Sequence, residues 1–90
     1  GVLTDRSGTI TTGGTAQQLA AANAARLGFS VQNLSTGDLW VNTLGTAAAA
    51  QPSIKLAAGV YFETPAGYGA VGAISIFGAT TGQAFSAREW

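Results

Sequence analysis

Turn-forming residues interrupt this sequence roughly every eight to twelve residues, and that spacing leaves room for short strands and little else. Gly13-Gly14, Asn33 to Asp38, Ala57-Ala58-Gly59, Pro65 to Gly69 and Thr80-Thr81-Gly82 each supply turn chemistry. Between them the apolar residues alternate. Leu27, Phe29 and Val31 are separated by Gly28, Ser30 and Gln32, the period of a strand with one buried face. Leu39-Trp40-Val41-Asn42 resumes a strand after the Asn33–Asp38 turn, which reads as a hairpin. Ser53 to Leu56 is a strand with Ile54 and Leu56 inward, and Val60 to Glu63 either pairs back on it or moves to a second sheet. Val71 to Phe77 is an apolar strand broken at Gly78, and Ala84 to Trp90 is the last strand. Six to eight short strands predict an all-β fold, a small antiparallel β-sandwich or jelly-roll-like barrel. Its expected core is Ile10, Leu19, Leu27, Phe29, Val31, Leu39, Val41, Ile54, Leu56, Val60, Phe62, Val71, Ile74, Ile76 and Phe85.

Two segments need separate treatment. Residues 1–8 lack periodicity and read as an extended N-terminal arm, in which Val2 and Leu3 have apolar surface to bury on a neighbouring subunit; residues 9–90 form the single domain. Thr9 to Thr12 is a short β-prone run that Gly13-Gly14 turns, as in a hairpin. Thr15 to Gly28 carries conflicting signals: Thr15 and Gln18 fit a capping box, the alanines favour helix and Gly28 stands where a helix would end. A helix there would have only Leu19 and Leu27 to bury, and Asn23 is a natural turn residue, so helix and strand both stay open. Ala47 to Ala50, close to Pro52, reads as surface loop.

Composition removes most chemistry. With 90 residues the chain has room for one core, and it contains neither Cys nor His, so thiol, imidazole, haem and disulfide chemistry are excluded and zinc has no soft ligands. Four basic residues balance four acidic ones, which leaves no positive field for nucleic acid. The charged fraction is 9% and the apolar fraction 47%, a composition that favours association with itself or with a larger assembly. The first residues lack the basic and apolar regions of a signal peptide, and the apolar run from Ala70 to Ala79 is too short to span a bilayer. Neither cofactor nor metal is expected, and the chain reads as a non-enzyme.

The remaining motifs are weak. Gly67 to Gly72 matches GxGxxG, but the run leads into Ala73 to Phe77, a strand, whereas dinucleotide binding needs a helix N-terminus there. Asp5, Asp38, Glu63 and Glu89 include no sequence-adjacent pair for glycoside hydrolysis. Trp40, Tyr61, Tyr68, Phe77 and Trp90 fall off the core parity or in loops, where aromatics serve sheet edges, protein interfaces or sugar stacking. Val2, Leu3, Trp40, Tyr68 and Trp90 are the candidate interface residues, with Trp90 the leading anchor.

The runs Gly14 to Leu19, Val31 to Ser35, Leu39 to Asn42, Pro52 to Gly59, Ile74 to Ile76 and Gly78 to Phe85, with Asn23 and Arg26, resemble a pattern common in small structural proteins of tailed bacteriophages. The resemblance spans Gly8 to Glu89. It implies a β-sandwich or jelly-roll accessory subunit of the virion, a capsid decoration protein or a head-spike or fibre subunit, assembling as a homo-oligomer, most simply a trimer. Its partners would be copies of itself and the major capsid protein or other virion proteins, without nucleic acid or membrane. The alternative is a receptor- or glycan-binding module of a tail fibre that uses Trp40 and Tyr68. The resemblance also implies that Thr15 to Ala22 is a strand before a turn at Asn23, and that Arg26 makes an ion pair or clamps carbonyl groups.

Overall fold

The computed structural model describes residues 2–68 and 70–90. Among them there is no helix, and nine strands run in chain order: β1 (Thr4–Asp5), β2 (Gly8–Thr9), β3 (Gln17–Ala20), β4 (Phe29–Asn33), β5 (Leu39–Asn42), β6 (Ile54–Leu56), β7 (Tyr61–Glu63), β8 (Ile74–Gly78) and β9 (Ala84–Glu89). All pairings are antiparallel. One sheet has the order β1-β9-β4-β7, with β2 also on β9, and the other has the order β3-β8-β5-β6. If β1 and β2 are taken as one interrupted edge strand, this is the strand order of an eight-stranded jelly roll.

The topology follows from how few strands pair with their sequence neighbours. Only β5 and β6 are both consecutive and paired; every other connection between β2 and β9 crosses from one sheet to the other. The Asn33–Asp38 turn is therefore not a hairpin. Both edges of β4 are occupied, by β7 and β9, so the chain leaving β4 starts the opposite sheet. Gly13-Gly14 is likewise a crossing and not a hairpin, because β2 pairs with β9 and β3 with β8. Gly14 takes φ +82° there, a conformation that costs an L side chain about 1 kcal/mol or more. After the 57–59 turn, β7 moves to the other sheet.

Of residues 15–28, Gln17–Ala20 form strand β3, the rest are turn and irregular backbone, and none is helical. Gln17 and Gln18 pair with Ile76 and Ser75, and a bulge before Ala20 turns both Leu19 and Ala20 inward. The alanines that follow have no apolar stripe to bury, and 21–25 remain exposed. Asn23 makes the expected turn: its Oδ1 accepts from the Ala25 N–H at 3.0 Å, and its carbonyl accepts from the Arg26 N–H at 3.0 Å.

The core is continuous between the sheets: Ile10, Leu19, Ala20, Phe29, Val31, Leu39, Val41, Leu56, Ile74, Ile76, Phe85 and Ala87, with Phe62 packed against it. Four expected core residues are exposed instead. Leu27 precedes β4, Val60 and Val71 lie in connections, and Ile54 has inward parity at the end of edge strand β6 where nothing covers it. The N-terminal segment is extended, and it lies against its own chain. Thr4 and Asp5 are opposite Glu89 and Arg88, Gly8 is opposite Phe85, and the Arg6 N–H bonds the Ala87 carbonyl at 2.8 Å. Val2 and Leu3 precede this pairing and stay exposed. The accessible surface, 4761 Å², is about what a compact 9.0 kDa monomer exposes.

Gly78 is a tightly packed point of the interior. A Cβ there would come within 2.4 Å of Gln83 Oε1, 2.8 Å of Leu39 Cδ2 and 2.9 Å of Ile10 Cγ1. Gly78→Ala should therefore destabilise the fold by about 1–3 kcal/mol in urea or thermal melts; an unchanged melting curve would show that this corner is not close-packed.

Candidate functional site

The crossings sort the connections to two ends. Residues 10–16, 34–38, 57–60 and 79–83 gather at one end, and the longer connections 21–28, 43–53 and 64–73 at the other. The short end is tied by buried amides. Asn33 donates from Nδ2 to the Gly37 and Leu56 carbonyls at 2.7 and 2.8 Å, while its Oδ1 accepts from the Ser35 N–H and hydroxyl. Gln83 donates to Ser35 Oγ and the Asp38 carbonyl, both at 3.1 Å, and accepts from the Thr80 N–H. Such residues satisfy the backbone where the ladders end.

The long end is organised by Arg26, whose side chain is 0% exposed. A guanidinium does not lose its proton, so in the interior it must be paired and hydrogen-bonded. Its Nε donates to Glu89 Oε1 at 3.1 Å, Nη1 to the Ala70 carbonyl and, at 2.8 Å, to the Gly72 carbonyl, and Nη2 to the Ala21 carbonyl. Arg26 is thus both ion-pair partner and carbonyl clamp, and it fastens 21–28 to 64–73. Ala70 holds a left-handed φ of +50° while presenting its carbonyl to Arg26, and the Asn23 N–H bonds the Val71 carbonyl at 2.8 Å. Arg6 pairs with Glu89 Oε2 from the outside, and Asn23 Nδ2 donates to Oε1 at 3.2 Å. Burial alone raises the Glu89 carboxyl; hydrogen bonds from Arg6, Asn23 and Arg26 and the Arg26 charge outweigh it, so the group titrates below its ordinary value.

The three connections of the long end add no exposed charge; Arg6, paired with Glu89 at their margin, is half-exposed. Arg26 is the one charged residue in 21–28, 43–53 and 64–73, and it is buried, whereas Leu27, Leu44, Tyr68 and Val71 are exposed. Gly67 to Gly72 belongs to this end; Gly69 lies outside the described residues, and the run leads to β8, so no helix N-terminus follows it.

A second feature lies on the outer face of the β1-β9-β4-β7 sheet. A cleft of about 440 Å³ is lined by Leu3, Ser30, Gln32, Tyr61, Glu63, Ser86, Ala87, Arg88 and Trp90. Strand register sets its rows: Arg88, Ser30 and Glu63 lie side by side across β9, β4 and β7, and Ser86, Gln32 and Tyr61 form the next row. Trp90 stands beyond Arg88 on the same face. Its main chain pairs with Gly28 in both directions, and a Cβ on Gly28 would meet the indole at 2.4 Å, so glycine is required beneath it. The Tyr61 hydroxyl donates to Glu63 Oε1 at 2.5 Å. Asp5 sits opposite Arg88 on the far side; hydrogen bonds from Ser7, with a smaller effect of the Arg88 charge, hold its carboxyl below the ordinary value.

Of the candidate interface residues, Leu3 and Trp90 share this cleft. Val2 is exposed nearby in sequence, Tyr68 belongs to the long end, and Trp40 is half-buried on the outer face of the opposite sheet, between Phe77 and Lys55 in register. Trp40 and Tyr68 line no common pocket among the described residues. The cleft's polar residues Ser30, Gln32, Ser86 and Arg88 escaped the sequence reading, although each occupies the outward parity of a recognised strand. No family model matches the chain, and comparisons with curated proteins and with solved structures find no match either.

Removing the Glu89 charge would leave Arg26 buried without its counter-ion. Glu89→Gln should cost about 3 kcal/mol in chemical denaturation. Because the folded carboxyl titrates below its unfolded value, its stabilisation is complete above the ordinary value of 4.5 and is lost as pH falls through the lower folded value. The wild type should therefore lose stability on acidification more steeply than the Gln variant; parallel pH profiles would refute the assignment.

Proposed function

We propose that this chain is a non-enzymatic structural subunit of a tailed-phage virion, a capsid decoration or head-spike/fibre subunit that works as a homo-oligomer, most simply a trimer. The observation that carries the reading is that the three connections of the long end expose no charge. Three connections there expose Leu27, Leu44, Tyr68 and Val71 among alanines, and the only charge is turned inward and neutralised. Protein contacts are depleted in charge at their centre, and the three connections of this end carry no charge besides Arg26, with Tyr68 as their one aromatic residue. A stable contact removes about 800 Å² from each partner, roughly one sixth of the 4761 Å² available, and one end of so small a jelly roll can supply it. The resemblance to tailed-phage structural proteins supplies the setting, and jelly rolls are a common architecture of capsid proteins.

In this reading the long end rests on the capsid or a neighbouring virion protein. The outer face of the β1-β9-β4-β7 sheet, with its polar cleft, remains toward solvent. Val2, ahead of β1, adds apolar surface for a neighbouring copy, beside Leu3 at the rim of the cleft.

Added to expanded capsids that lack it, the chain should co-sediment with them and raise their melting temperature. Leu27→Asp and Leu44→Asp alter exposed positions, so the isolated protein should melt within about 0.5 kcal/mol of wild type, while capsid binding falls at least about tenfold. Immunogold label confined to the tail tip would contradict the decoration reading, and a monomer at micromolar concentration in analytical ultracentrifugation would contradict self-assembly.

A further inference from the structure

We propose that the cleft on the outer face of the β1-β9-β4-β7 sheet is a binding site for a neutral oligosaccharide. This goes beyond the assembly role and is independent of it. The cleft's volume, about 440 Å³, is in the range of small-molecule sites. Its chemistry is mixed in the way sugar recognition requires. Trp90 and Tyr61 offer aromatic faces for the C–H side of a pyranose ring, while Ser30, Gln32, Ser86, Glu63 and Arg88 offer donors and acceptors for its hydroxyls.

The strand register gives the cleft a direction. Neighbouring strands lie about 4.8 Å apart and residues advance about 3.4 Å along a strand. Trp90 and Ser86 are therefore roughly 14 Å apart along β9, and Arg88 and Glu63 roughly 10 Å apart across β4. Trp90 and Tyr61 occupy opposite corners of this grid, with the polar row between them, so a ligand touching both must be longer than one sugar ring. The ends are fixed in advance. Gly28 seats the indole of Trp90, and the Tyr61–Glu63 hydrogen bond orients the carboxylate. Among the described residues the Arg88 side chain has no hydrogen bond or ion pair, so its donors are available.

Charge and spacing exclude the neighbouring ligand classes. Arg88 is balanced by Glu63 on one side and Asp5 on the other, which leaves no net positive field for a phosphate or a polyanionic chain. A wholly apolar ligand would strand the Ser and Gln groups of the floor without partners. Binding is assigned and hydrolysis is not. Glu63 and Asp5, the outward carboxylates of this face, are three strand spacings apart, about 14 Å, whereas glycoside hydrolysis uses carboxylates about 5 to 9.5 Å apart.

The chain has two tryptophans, so Trp40→Phe leaves Trp90 as the sole indole reporter. That variant would be titrated with neutral di- and tetrasaccharides of glucose, galactose, mannose and rhamnose. At least one tetrasaccharide should shift the Trp90 emission saturably, with a dissociation constant of about 1 mM or tighter. Tyr61→Ala and Arg88→Ala, both at exposed positions, should weaken that binding at least about tenfold while leaving the melting curve unchanged. Absence of a saturable shift with every sugar would overturn the site. Binding that survives both variants, or a response only to an added peptide digest, would overturn it as well.

Discussion

A positive charge that cannot be discharged, held inside a 90-residue protein, is the constraint around which one half of this structure is arranged. Arg26 uses four of the five guanidinium N–H groups on named partners, one of them the Glu89 carboxylate and three of them carbonyl groups in two separate connections. The desolvation cost of such a group is several kcal/mol, and only complete pairing offsets it. The partners are therefore fixed in place as firmly as the guanidinium is. Residues 21–28 and 64–73 are joined without a strand between them, and the end of β9 is pinned through Glu89.

That pinning has consequences on both sides of the sheet. Glu89 points inward to Arg26, so its neighbours Arg88 and Trp90 point outward and enter the cleft with Ser30, Gln32, Tyr61 and Glu63. On the end of the sandwich, the same network buries the one charge of the three connections and leaves Leu27, Leu44, Tyr68 and Val71 exposed. An apolar contact end and a polar, aromatic face thus arise from one buried ion pair. In the proposed reading the first would rest on a virion protein and the second would receive a sugar.

The strands were legible because alternation survives in Phe29 and Val31, Leu39 and Val41, Ile74 and Ile76, all of which are buried as their parity requires. Position along the strand is what parity does not encode. Leu27, Ile54, Val60 and Val71 have the right spacing or hydropathy, yet they lie past the region where the opposite sheet covers them. Sheet membership was equally hidden, since a turn such as Asn33–Asp38 has the same composition whether it makes a hairpin or a crossing. What decides it is the occupation of both β4 edges by β7 and β9, partners separated from β4 by long stretches of sequence. The buried amides Asn33 and Gln83 and the acid Glu89 carry no hydropathic signal, and their roles depend on partners far along the chain. The role of Arg26 became an expectation only through the phage resemblance, and its carbonyl partners required the fold.

The central claim is that the long end is the contact surface and the outer sheet face is open. A cryo-electron microscopy map of the assembled virion tests it directly. The account predicts jelly-roll density seated on its neighbour through residues 21–28, 43–53 and 64–73, with Tyr61, Arg88 and Trp90 facing solvent. Density attached through the Tyr61–Arg88–Trp90 face, with the three long connections exposed, would contradict it.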